Sequence, residues 1–141
     1  MHENKATRNL WRSTAAVVAG LIAIVVTHTG TDHVMHTTGV FPPYGEPMTD
    51  SGQYALALGY RIVFSVVGCY LTAVLAPRNP MRHALVLGGI GVVLSTAGAV
   101  MMWDMGPGWY PISLIIIALP SAWSGGKLHQ VVHERREPLT E

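Results

Sequence analysis

The feature that most constrains this chain is the alternation of long apolar stretches with short polar ones, and the way basic residues distribute over the polar ones. Lys5, Arg8 and Arg12 precede the first apolar stretch, Arg78 and Arg82 separate the second from the third, and Lys127, Arg135 and Arg136 follow the fourth. The other two connections contain no Lys or Arg, and Arg61 is the one basic residue inside a stretch. Basic residues are retained on the cytoplasmic side of a membrane, so the pattern predicts an all-α polytopic bundle of four transmembrane helices with both termini cytoplasmic.

Composition agrees. Charged residues make up 12% of the 141 positions, where a soluble domain carries about 25%. The 1–141 chain reads as a single integral membrane domain. Glu46, Asp50 and Asp104 occupy the connections that lack basic residues, and Asp32 lies at the outer end of the first stretch. A basic rim on the opposite side suits anionic lipid headgroups rather than nucleic acid. The single cysteine, Cys69, has no internal disulfide partner and reads as a small packing residue. The basic start followed by Ala15–Val26 looks like a signal peptide, but Thr27-His28-Thr29-Gly30 offers no small-x-small cleavage site, so an uncleaved helix is expected.

Punctuation then sets the expected helices at about 10–38, 53–76, 81–103 and 109–126, with a polar, frayed or interfacial tail over 129–141. Gly39 suits the stop of the first helix, and Pro42-Pro43 forbids its continuation. Pro77 ends the second, Pro111 is tolerated in the first turn of the fourth, and Pro120 should kink it. The first helix would reach about 43 Å, against a hydrocarbon core of about 30 Å, so its last turns should project into the outer interface. Trp11 and Trp123 fall at the inner boundary and Trp103 and Trp109 at the outer one, as aromatic belts require. Ala16 with Gly20, Gly91 with Ser95 and Ala99, and Ser121 with Gly125 have the spacing of close helix contacts.

The candidate site is a polar layer near the outer surface. Arg61 falls about 12 Å below the start of its helix, where an unpaired arginine costs about 3 kcal/mol or more. Helix side chains lean toward the N-terminus, so Arg61 leans outward while His28, Asp32 and Asp104 lean inward toward it. Asp32 and Asp104 count to about 30 and 33 Å above the inner rim. Arg61 is expected to pair with Asp32 or Asp104, with Tyr60 as a neighbouring proton donor or bundle residue. The layer then serves either as a latch between helices or as a site for an anion or proton.

His28, Asp32 and His36 repeat at every fourth residue, with His33 nearby and Met101, Met102 and Met105 at a similar level. Imidazole, carboxylate and thioether together suit zinc or copper, but His28 and His36 are about 12 Å apart along a straight helix. A metal at His28, Asp32, His33 and His36 is thus one alternative, and satisfied interfacial histidines the other. No other cofactor is expected. The chain has no HExxH, GxSxG, Walker or CxxC motif, so no catalytic residue is assigned, and Gly88-Gly89-Ile90-Gly91 inside an apolar span reads as packing.

Gly39-Val40-Phe41-Pro42-Pro43-Tyr44-Gly45 with Met48 and Asp50, Tyr60-Arg61, Pro80-Met81-Arg82-His83-Ala84 and Trp109-Tyr110-Pro111 resemble stretches of uncharacterised small four-helix bacterial integral membrane proteins. The resemblance implies a bacterial inner-membrane location and the four-helix layout, and supplies no activity. Small multidrug transporters are similar in size and helix number but depend on a glutamate in the first helix, which this first span lacks. The leading expectation is a non-enzymatic accessory or partner-binding component. The alternative is a transporter or binding protein for an ion, metal or other small solute. Expected partners are the lipid bilayer and either further copies of the chain or other membrane subunits.

Overall fold

The computed structural model describes residues 2–135, with side chains from Thr7 onward. It consists of α1 (His2–Thr37), α2 (Ser51–Leu75), α3 (Pro80–Met101) and α4 (Trp109–Glu134), with a short 3₁₀ turn at Trp103–Met105. No strand occurs among the described residues. All four α-helices are long and apolar enough to cross a membrane.

Residue contacts set the topology. Asp32 meets Tyr60 and Ala16 meets Thr72, so α1 and α2 run in opposite directions. Gly88 abuts Ala122 and Gly126 abuts Met81, so α3 and α4 are antiparallel too. Tyr110 meets Arg61 and Gly125 meets Val66 and Tyr70, which makes α2 and α4 parallel. The result is an up-down-up-down bundle with both described ends of the chain at one end. Helix α2 touches all three others, whereas α1 and α3 touch least among the packed pairs. Only 11% of the most apolar window of α1 is buried, against 22% for each other helix. The remaining apolar surface faces outward, as on Met101 at 83% exposure, and lipid rather than water is the solvent that suits it.

Local chemistry explains the boundaries. Helix α1 starts earlier than expected because Glu3 to Arg8 contain no Gly or Pro and include good helix formers. It stops as expected at Gly39, whose φ of 76° is left-handed and whose N–H donates to the His36 carbonyl at 3.3 Å. Helix α2 starts at Ser51, two residues before the expected Gln53. The Asp50 carboxylate accepts the Gly52 N–H at 2.8 Å, so Ser51 and Gly52 belong to a capped first turn and not to the loop. Asn79, with φ of 46°, turns the chain into Pro80 at the first position of α3. That helix ends at Met101, short of the expected residue 103, where the chain tightens into the 3₁₀ turn.

The largest correction is at α4, which runs eight residues past 126 to Glu134. Gly125 and Gly126 invited a helix stop, but both are buried against α2 and α3, and packing outweighs their weak helix propensity. The expected frayed tail is therefore helical over 129–134, while 136–141 lie outside the described residues. Pro120 sits within this continuous helix.

Small residues set the closest approaches. A Cβ on Gly20 would stand 2.7 Å from the Gly68 carbonyl oxygen, and one on Gly125 would stand 2.6 Å from the Val66 oxygen and 2.7 Å from the Tyr70 nitrogen. Backbone cannot give way as a flexible side chain can, so these crossings exist only with glycine present. Cys69, beside Gly125, is 2% exposed and acts as a packing residue. Gly125→Ala is expected to destabilise the bundle by about 1–3 kcal/mol. Gly30→Ala, where a Cβ meets nothing within 4 Å, is expected to be neutral or slightly stabilising. Thermal unfolding in detergent measures both, and equal melting of the two variants would contradict the packing assignment.

Candidate functional site

Three helices meet around Arg61. It is the eleventh residue of α2, which places it about 15 Å along the helix from Ser51. At that depth its charge needs a partner, and Asp32 of α1 supplies it: Arg61 Nη2 donates to Asp32 Oδ2 at 2.5 Å. Tyr60 Oη donates to the other carboxylate oxygen, and Arg61 Nη1 donates to Tyr110 Oη of α4. The guanidinium carbon also lies 5.5 Å from the Tyr60 ring centroid and 5.9 Å from that of Tyr110. Aromatic faces stabilise a cation in such positions. Both Asp32 oxygens and both terminal guanidinium nitrogens thus carry bonds inside the protein, and the pair ties α1 to α2 and α4. With side chains 21% and 28% exposed, Arg61 and Asp32 are largely withdrawn from their surroundings.

His28, one turn before Asp32, points its Nε2 at the Arg61 carbonyl oxygen at 3.2 Å. A carbonyl only accepts, so this imidazole carries its proton on Nε2. Of the residues that the sequence pointed to, His28, Asp32, Tyr60 and Arg61 come together. Asp104 does not. It is exposed in the 3₁₀ turn, and among the described residues it forms no ion pair. Counting heights treated α3 as continuous through 103, but the helix ends first and the turn carries Asp104 away.

The histidines past His28 serve the 39–50 connection. His36 Nδ1 donates to the Pro42 carbonyl at 2.5 Å, and its ring stacks on Tyr44 with centroids 4.1 Å apart. Phe41 packs edge-on against the same imidazole and is 2% exposed. His33 Nδ1 lies 3.3 Å from Tyr44 Oη. The metal alternative would draw on His28, Asp32, His33 and His36; among the described residues no three His, Cys, Asp or Glu side chains group as ligands. His28 turns to α2, whereas His33 and His36 turn to the folded-back connection.

Tyr110 is the member of the network that sequence reasoning missed. Placed next to Trp109 at a helix start, it reads as part of an interfacial belt, and only the parallel packing of α2 and α4 brings it to Arg61. Tyr54 stands in the same corner, its ring 5.1 Å from that of Tyr110. Its hydroxyl donates to the carbonyls of Met48 and Met105, each at 3.2 Å, and so joins the two connections at this end.

Beneath the network, between the helices, is a cavity of about 260 Å³ bounded at one end by His28 and Arg61. Compared with known proteins, the chain matches no family model, no curated protein and no solved structure. Four apolar helices and the satisfied polar cluster are thus what its function has to be argued from.

Asp32→Ala and Arg61→Ala should each destabilise the fold by about 3 kcal/mol, because either strands a charge among three helices. Exchanging the two residues should recover part of that loss. Asp104→Asn should change stability by less than about 0.5 kcal/mol. Unfolding midpoints in detergent check all four variants, and a charge exchange no better than the single variants would break the pairing.

Proposed function

We propose that this chain is a non-enzymatic accessory or partner-binding component of a bacterial cytoplasmic membrane, with both termini in the cytoplasm. The observation that carries the reading is the mutual bonding of the Arg61–Asp32–Tyr60–Tyr110 cluster, in which the two charges balance each other and both Asp32 oxygens are taken up across α1, α2 and α4. Groups held that way fasten helices. A transported ion or an acid–base step needs a charge left open to the substrate.

Orientation follows from the basic residues. Arg12, Arg78, Arg82 and Lys127 belong to the end of the bundle where Gly126 abuts Met81, opposite the Arg61 cluster. Retention of that end in the cytoplasm is what the positive-inside rule favours. The outward face of α1, the least buried helix, is the natural surface for a second copy or another membrane subunit.

Two measurements test the reading together. A fluorescent protein fused after Glu141 should be bright and alkaline phosphatase at the same place inactive, and the tagged chain should leave native membranes with itself or other membrane subunits in fixed stoichiometry. A monomer that moves ions across proteoliposomes, and stops when Asp32 becomes Asn, would sink it. A second reading, a binding protein for a small solute, has one observation in its favour: the cavity that reaches Arg61.

A further inference from the structure

The cavity has a divided chemistry. Its walls are mainly apolar side chains of α1, α3 and α4, among them Ile24, Leu94 and Ile117, while His28 and Arg61 close one end and Ser65 and Ser95 interrupt the walls. Residues of all four helices line it, and α1 and α3 pack on each other more sparsely than either packs on α2. At about 260 Å³ it falls just below the range of drug-sized ligand sites, about 300–1,000 Å³. That space takes a compact head and the first part of an apolar tail, whose remainder extends through the cavity's open side.

The polar end restricts the head. A guanidinium has five N–H groups, and the bonds to Asp32 and Tyr110 occupy two of them. Its charge is already balanced by Asp32 at 2.5 Å. A second anion placed there would face the Asp32 carboxylate in a medium that screens poorly, and an ammonium would face the guanidinium. A neutral oxygen acceptor meets neither penalty and can take a remaining N–H. We propose that the cavity binds a neutral amphiphile that enters from the bilayer, seats its apolar tail between α1 and α3, and sets a carbonyl oxygen against Arg61. The carbonyl belongs either to a free ketone-type molecule or to the ester of a phospholipid. The inference rests on the binding-protein reading and not on the accessory role, since absence of co-purifying subunits would leave it untouched.

The test places a reporter thiol in the wall. Cys69→Ala keeps the Cβ that packs on Gly125, and Ser95→Cys in that background presents a thiol to the cavity. Thr96→Cys, exposed on the outer face of α3 in an apolar groove with Val92, Val93 and Val100 and no charged donor, serves as the control for apolar adsorption alone. Labelling by N-ethylmaleimide in detergent is followed by mass with 2-dodecanone, dodecane or dodecanoate present. One hydrogen bond to a charged donor corresponds to about ten-fold in occupancy, so 2-dodecanone should protect Ser95→Cys at about one-tenth the concentration that dodecane needs. It should protect Thr96→Cys no better than dodecane does, and Ser65→Leu, which fills the cavity, should abolish the advantage at Ser95→Cys while the protein stays helical and monodisperse.

Equal protection by dodecane would overturn the proposal, as would stronger protection by dodecanoate, or a Ser95→Cys thiol that never reacts while Thr96→Cys does. Protection already present in the purified protein, and lost as phospholipid is stripped away, would identify the lipid ester as the source. Protection that appears only on adding the ketone would identify a free amphiphile.

Discussion

Four helices long and apolar enough to cross a membrane set the governing constraint, because a peptide group in hydrocarbon has no solvent to hydrogen-bond to. It forces each apolar stretch to satisfy its own backbone as a helix, and it removes hydrophobic exclusion as the force that gathers helices together. What holds the bundle is then contact at short range. Gly20 against Gly68, and Gly125 against the backbone of Val66 and Tyr70, bring helices together where any larger residue would hold them apart. The same demand extends to side chains, which is why Arg61, well inside α2, is tied to Asp32 and Tyr110.

That cluster and the glycine contacts divide the work along the bundle. Toward one end, close packing joins α2, α3 and α4 through Gly88, Gly125 and Gly126. Toward the other, an ion pair with two tyrosines joins α1, α2 and α4. Helix α1 is held at both, by Gly20 against Gly68 and Thr72 bonding to the Ala16 carbonyl, and by Asp32 bonding to Tyr60 and Arg61. The connection after it is fastened by His36, Tyr44 and the buried Phe41.

Much of this is legible in the sequence. The helix number, the stop at Gly39 and the need of Arg61 for an acidic partner all follow from local chemistry. Misreadings came where tertiary packing overrode local signals. Gly125-Gly126 looks like a helix end and is a helix interface. His28, Asp32 and His36 share one stripe of α1, and only the chain folding back at Pro42 to Tyr44 decides the partner of His36. Tyr110 carried no local signal of its role, because that role depends on which helix lies beside α4.

Sequence by itself determined that four apolar segments become helices and how the basic residues are partitioned among their ends, since backbone satisfaction in lipid and the location of charge are properties of each segment alone. Tertiary structure decided which aspartate meets Arg61, which tyrosines complete the cluster and where a cavity is left among the four helices. Those outcomes depend on the rotation and relative height of neighbouring helices, and these are set by the few positions where backbones come within touching distance.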